Sequence, residues 1–301
     1  MKNKLAIIII NWRRYDDTVE CLRSVKASNY QDYRIILVDN ASDDGSGEKL
    51  AKEFPDIKAI FNKKNYGFAE GNNIGIKQAL KDEAKYILLL NNDAVVGRDC
   101  LSNLIAVMEH EPATGIIGPK IYFYNANTVW YAGGKLNRLT GLTFHIGEGV
   151  EDRGQFSQPA EVDFVTGCAL MVKSEVFERV GLLDKDFYHN HEDAEFCLRA
   201  KAAGFGLTYE PSAIVYHKLA RSTGGGRSPF ALYFKTRNHL LFQKKRGLRA
   251  PLFWPVFAWL VLKRIAGSIL LLRPKGAWAT IKAIKDFYAG NWGKGSGDEF
   301  R

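Results

Sequence analysis

A chain of 301 residues is long enough to bury a substantial apolar core, and 46% apolar with 25% charged residues excludes a disordered or fibrous protein. The net charge of +9 would suit nucleic acid or an anionic membrane, but it is concentrated in residues 229–294, where thirteen Lys or Arg face one acid, Asp286. Cys21, Cys100, Cys168 and Cys197 lack CxxC spacing and fall mostly within apolar patterns, so they read as buried reduced thiols and favour a cytoplasmic location.

The first apolar run, LAIIII at residues 5–10, is too short for a signal peptide and is followed at once by WRRYDD, so it reads as a first strand. Residues 34–38 (RIILV), 57–61 (IKAIF) and 86–90 (YILLL) are further short runs of the kind that form strands buried on both faces. Between them, residues 16–28 place Val19, Leu22 and Val25 or Lys26 at helical spacing, and residues 70–81 place Ile74, Ile76 and Leu80 likewise. This alternation predicts an α/β fold with a mainly parallel sheet and helices on both faces. Residues 124–160 are rich in Gly, Asn and Thr and predict a loop-rich insertion. Residues 162–173 predict a strand pair or a strand entering a helix, and 192–203 a helix opened by acids and closed by Gly204.

From residue 229 the character changes. Residues 251–272 are strongly apolar, but Pro255, Lys263 and Arg264 interrupt them, which argues against a spanning helix. Trp254, Trp259, Trp278 and Trp292 lie in this tail among Lys and Arg, the composition of a helix lying in a membrane interface. A helical subdomain packed on the rest of the chain, with the cations as its solvated face, is the competing reading. The sequence therefore divides into 1–228 and a C-terminal helical extension, 229–301.

In open α/β sheets ligands bind beyond the carboxyl ends of the strands. The polar residues there are Asn11 after the first strand, Asp39 and Asn40 after the second, and Asn91, Asn92 and Asp93 after the fourth. Singly, each is equally well a turn or cap residue. Together on one sheet edge, the acids call for a cation, and Mg²⁺ or Mn²⁺ held by Asp93 would bridge the oxygens of a nucleotide diphosphate. Asp39 is placed to accept a hydrogen bond from a base N–H. The segment NYGFAEGNN, residues 65–73, offers close backbone approach to a ligand or a plain helix entry. HNHED, residues 189–193, crowds two histidines and two acids at a helix start. On an irregular segment the histidines need not converge on a metal, whereas a carboxylate can take the proton of an attacking hydroxyl.

The succession IIIINWRR, VDNASDDGS, NYGFAEGNNIGI, YILLLNND, VTGCALMVKSEVFERVGLLDKDFYHNHEDAEFCLRAKAAGF and YEPSAIVYHKLARST resembles family 2 glycosyltransferases of the GT-A fold, and within them the rhamnosyltransferase-like branch of cell-envelope enzymes. The resemblance covers roughly residues 5–225. It implies a nucleotide pocket formed by Asn11, Asp39, Asn40, Gly67, Gly71 and Asn72, with Asn91 and Asn92 beside them. It makes Asp93 the last acid of the family's DxD metal motif, His217 a further metal ligand, and Asp193 the base of an inverting displacement, with Glu192 its nearest rival. Asn91 stands where many relatives have Asp, so the metal site carries less charge. The implied donor is a dTDP- or UDP-sugar, rhamnose or a related hexose.

If the tail lies on an anionic inner leaflet, the acceptor is expected to be a saccharide or polyprenyl-linked saccharide, and the location cytoplasmic and peripheral on the inner face of the membrane. No nucleic-acid module is recognisable. The apolar tail could equally pair two subunits as a homodimer. The alternative of another class is a catalytically silent protein on the same fold, recruited to membranes by its basic tail.

Overall fold

The computed structural model describes residues 4–219, 226–247 and 250–301. Ala220, Arg221, Ser222 and Thr223 of the last resembling block, and Arg249 of the basic tail, lie outside the described residues. The predicted alternation is present as β1 (Leu5–Asn11), α1 (Tyr15–Lys26), β2 (Tyr33–Asp39), α2 (Ser46–Glu53), β3 (Lys58–Phe61), α3 (Gly67–Lys81) and β4 (Tyr86–Asn91). These four strands are parallel in the order β3-β2-β1-β4. Leu5 through Ile9 of β1 are wholly buried, which is why that strand reads as one apolar run without alternation.

Beyond β4 the sheet becomes mixed. β12 (Ala169–Lys173) pairs antiparallel with β4 and with β6 (Thr114–Phe123), and β13 (Gly206–His217) runs parallel to β6. The short β5 (Ala94–Val96) pairs with the end of β13, so that His217 lies opposite Ala94 and next to Asp93. Helices α4 (Cys100–His110), α5 (Ser174–Val180) and α6 (Glu192–Ala202) complete this part of the chain. The irregular segment 124–160 carries the small strands β7 (Thr128–Tyr131), β8 (Gly134–Leu136), β9 (Thr143–His145) and β10 (Val150–Glu151), with β11 at Ala160–Glu161. All four cysteines are buried and free.

Two local expectations change. The stretch 65–73 is not a loop throughout, because α3 already begins at Gly67. Of the predicted apolar face Ile76 is fully buried, whereas Ile74 and Leu80 are only half-buried, and the helix also turns glycines toward the sheet. A Cβ at Gly71 would sit 3.0 Å from Ile10 Cδ1, and one at Gly75 would sit 2.5 Å from Ile8 Cγ2, so these residues, four apart on one face, let α3 press onto β1.

The tail also differs from a simple appendage. Helix α7 (Pro229–Arg246) is capped at Ser228, whose side chain accepts from the Ala231 N–H, and it buries nearly its whole circumference. Phe230, Tyr233, Phe234, Leu240, Leu241 and Phe242 are buried along it, and so are Thr236, Arg237, Asn238 and Gln243. Helix α9 (Pro274–Tyr288) packs along α7, and the short turn Gly297–Phe300 returns to it, Phe300 stacking on Tyr233. The division at 228/229 is therefore not a break in packing. Helix α8 (Phe253–Leu270) behaves differently: Phe253, Phe257 and Ser268 are buried, while Trp254, Trp259, Leu262, Ile269 and Leu270 are exposed.

Candidate active site

Strand register brings the predicted polar residues together. Asn11 lies opposite Asp39, and Ile10 opposite Asn91, so the carboxyl ends of β1, β2 and β4 form one edge. A cavity of about 680 Å³ opens there, walled by Trp12, Asn40, Gly67, Phe68 and Asn72 on one side and by Asn91, Asn92, Asp93, Trp130 and His217 on another. Glu192 and Asp193 line the same cavity, together with residues of α7 and α8.

Asn11, Asp39 and Gly71 do not line it. Asn11 is fully buried and donates from Nδ2 to Asp39 Oδ1 at 2.8 Å and Ser46 Oγ at 2.9 Å, while its Oδ1 accepts from Thr18 Oγ1. Asp39 Oδ2 accepts from the Ser42 N–H at 2.9 Å. These bonds fix the 39–46 turn from behind the lining residues. Asn40 reaches further: its Nδ2 donates to Asn65 Oδ1 and to the Gly67 carbonyl, and its Oδ1 accepts from Asn62 Nδ2 and the Tyr66 N–H, so one amide shapes the whole 62–67 turn. Gly67 has φ +80°, and a Cβ there would meet the Tyr188 ring at 2.4 Å, which is why this turn needs glycine. Asn72 Nδ2 bonds back to the Phe68 carbonyl within α3, and Asn92 Nδ2 donates to Thr18 Oγ1.

Asp93 and His217 meet at the cavity wall, His217 Nε2 lying 3.0 Å from Asp93 Oδ1 and 3.5 Å from Asn91 Nδ2. Trp130 closes over the imidazole with its centroid 4.6 Å away. Burial opposes ionisation of Asp93, but the hydrogen bond and charge of His217, with Lys218 nearby, outweigh it and hold the carboxyl below its usual value. Among the described residues no three His, Cys, Asp or Glu converge as a metal cluster. An all-protein zinc cage is thereby absent from them, whereas one carboxylate, one imidazole and an amide suit an ion that completes its shell with substrate oxygens.

The carboxylates at the start of α6 are set by an unusual backbone. Tyr188, Asn190 and His191 all have positive φ, between 62° and 74°, at a cost on the order of 1–3 kcal/mol each. The segment is held by two adjacent residues of α7. Arg237 Nη2 donates to the carbonyls of Asp186 and Phe187, and its Nη1 to that of Gly293 at 2.6 Å. Asn238 Nδ2 lies 2.7–2.9 Å from the carbonyls of Phe187, His189 and Asn190. These donors satisfy buried carbonyls that the left-handed backbone turns inward.

Asp193 and Glu192 then differ sharply. Asp193 Oδ2 accepts from the Gly167 N–H and Oδ1 from the Ala194 N–H, both at 2.8 Å, which fixes its carboxylate plane. Burial raises its carboxyl above the usual value, against the lowering effect of those two N–H groups. Glu192 Oε2 is buried with no partner, and burial followed by the Asp193 charge pushes its carboxyl well above the usual range. The histidines of HNHED do not share a metal: His189 packs on Phe230 and Phe234, while His191 faces His239 of α7 with centroids 5.1 Å apart.

Several lining residues had no sequence signal. Trp130 and His145 come from the irregular segment, and Lys235, His239 and Arg264 from the tail, where cations read as a solvated face. The VTG of the fifth resembling block carries no sign of its use in the sequence, yet its Gly167 supplies the N–H that orients Asp193.

The chain is 25% identical over 279 residues to dTDP-rhamnosyl transferase RfbF of Shigella flexneri, covering 86% of this chain and 89% of that protein. It is 24% identical over 284 residues to the N-acetylglucosaminyl-diphospho-decaprenol L-rhamnosyltransferase of Mycobacterium tuberculosis, covering 87% and 92% respectively. Its fold matches the mannosyltransferase PcManGT of Pyrobaculum calidifontis, solved with GDP-Man and Mn²⁺, with a TM-score of 0.57 at 15% identity over 95% of this chain and 75% of that one. The architecture is that of the GT-A glycosyltransferases. The sequence pattern of glycosyl transferase family 2 matches residues 6–181, more than half of the chain, and the chain therefore belongs to that family.

Proposed function

We propose that this glycosyltransferase is an inverting enzyme that uses a divalent metal and moves rhamnose or a related hexose from a dTDP- or UDP-sugar to a hydroxyl of a polyprenyl-linked saccharide. The observation that carries this reading is the presence of the Asp93–His217 pair and the oriented Asp193 carboxylate in one cavity. Asp93 and His217 would hold the ion, which when bound neutralises the diphosphate leaving group; the imidazole nitrogen favours Mn²⁺ over Mg²⁺. Trp12, Asn40 and Asn72 would face the nucleotide, with Asn11 and Asp39 bracing them from behind. Asp193, fixed by two N–H groups, accepts in its carboxylate form the proton of the acceptor hydroxyl as that oxygen attacks. Glu192 is a poorer base, because its site favours the neutral form. The names of the Shigella and mycobacterial relatives support a deoxysugar donor and a lipid diphosphate acceptor.

A panel of dTDP- and UDP-sugars incubated with Mn²⁺, Mg²⁺ or EDTA tests the reading. Metal-dependent release of nucleoside diphosphate from at least one donor is expected, fastest with Mn²⁺. Binding without any hydrolysis or transfer would favour the silent binding protein instead.

We place the enzyme at the cytoplasmic face of the membrane through α8, whose Trp254, Trp259, Leu262, Ile269 and Leu270 are exposed together. By length and composition this helix could also cross a bilayer, but Lys263 and Arg264 sit in its middle and its inner face is already packed through Phe253 and Phe257. Removing residues 229–301 would strip the packing of α7, so substitution is the cleaner test. Trp254→Ser combined with Trp259→Ser is expected to weaken sedimentation with anionic vesicles by ~10-fold or more. Unchanged sedimentation would sink the interfacial reading.

A further inference from the structure

At the end of the cavity formed by α7 and α8, Lys235 and Arg264 stand with Glu148 as the neighbouring acid that acts on Lys235 from beyond ion-pair distance. Lys235 of α7 is half-buried there, and among the described residues it hydrogen-bonds only the Gly226 carbonyl, at 3.3 Å. Arg264 of α8 shares the inward face of that helix with Phe257 and Ser268, and among the described residues it makes one bond, from Nη1 to Thr236 Oγ1 at 2.8 Å. Neither cation has a carboxylate within ion-pair distance among the described residues, although buried cations are ordinarily paired. His239 and His191 line the same cavity, with Nδ1 of His191 buried and unpartnered among the described residues. Burial and then the neighbouring Arg264 charge pull the Lys235 amine below its ordinary value, against the raising effect of the Glu148 carboxylate farther off.

We propose that Lys235 and Arg264 form a second diphosphate subsite, separate from the donor site at Asp93, which binds the diphosphate of a prenyl-linked acceptor. The inference rests on the transferase reading and names the class of its acceptor. It follows from the layout of one cavity. The carboxyl edge of the sheet supplies one place for anionic oxygens and α7 with α8 supplies another. Asp193 lines the same cavity, where a hydroxyl near the acceptor diphosphate can reach it. Arg264 also lies on the helix whose opposite face exposes Trp254, Leu262 and Ile269, so a diphosphate held by it has an apolar surface close by for a lipid chain. A guanidinium with free N–H groups and an ammonium are the donors that phosphate oxygens select.

Titration calorimetry of the full chain in EDTA, which leaves the Asp93 site without a cation, tests this with farnesyl diphosphate, inorganic pyrophosphate and farnesol. Farnesyl diphosphate is expected to bind at least tenfold more tightly than farnesol. Lys235→Ala and Arg264→Ala should each weaken it at least tenfold, while Lys235→Arg and Arg264→Lys retain most of the affinity. Lys263→Ala, on the outer face of α8, controls for loss of charge in general. Inorganic pyrophosphate binding as tightly, with the same sensitivity to the substitutions, would keep the subsite and assign it to a free diphosphate. The proposal is overturned if the alanine variants bind as the wild type does, if farnesol matches farnesyl diphosphate, or if thymidine diphosphate displaces the ligand. Sugar-nucleotide hydrolysis by the wild type decides the transferase reading independently of all these results.

Discussion

Replacing Asp193 by Asn should lower kcat for sugar transfer by ~10²–10⁴-fold, the range by which a positioned general base contributes, while nucleotide binding persists. The amide keeps the shape of the carboxylate and can still accept from the Gly167 N–H, but it cannot take a proton. Its NH₂ would face the Ala194 N–H, so some reorientation is expected, and a KM for the donor within a few-fold of wild type would show that the fold of the site survived. The sign of the pH dependence follows from burial. Asp193 must be ionised to act, and burial raises its carboxyl above the ~3.9 of a free aspartate. Activity should therefore fall as pH drops through a value above the ordinary aspartate range, and the Asn variant's residual rate should lack that acid limb. Undiminished transfer by the variant would remove Asp193 from the mechanism and direct attention to Glu192.

Asp93→Ala is expected to cost about 4 kcal/mol of transition-state stabilisation, or ~10³-fold in kcat/KM, by removing the carboxylate beside His217. The distinguishing readout is metal response. Wild-type donor binding should tighten with Mn²⁺ and loosen with EDTA, whereas the variant should bind nucleotide weakly and equally in both. A variant still activated by Mn²⁺ would place the ion elsewhere in the cavity. Asn91, standing where a second acid would add charge, makes this dependence on one carboxylate steeper.

How much of this was legible in the sequence depended on how burial writes itself there. The parallel strands announced themselves because β1, β2 and β4 are covered on both faces, and the residues directly after them were identifiable for the same reason. Asp93 was found in this way. The mode of contact between α3 and the sheet was not, since close approach through Gly71 and Gly75 leaves no apolar periodicity to read. Gly71, which the resemblance places at the nucleotide, lies against Ile10 and outside the cavity lining. Asn11 and Asp39 stand at the predicted edge but behind the residues that line the cavity, and a sequence does not show that two polar residues will hydrogen-bond each other. The largest omission was α7. Its Arg237, Asn238 and Gln243 look like a solvated helix face, yet they are buried because loop carbonyls need donors, and such loops carry no pattern of their own.

The grip of Arg237 and Asn238 on residues 186–190 sets a limit on how this protein can be recombined. The family pattern ends at residue 181, and residue 228 is the obvious seam between the sheet and the helices that follow. A chimaera cut at that seam would join one parent's 188–191 turn to another parent's clamp, leaving three left-handed residues to be held by side chains selected for a different turn. Exchange of acceptor preference between relatives is more safely done with the crossover before residue 182, so that the turn, the carboxylates of α6 and the helix that restrains them travel as one inherited block.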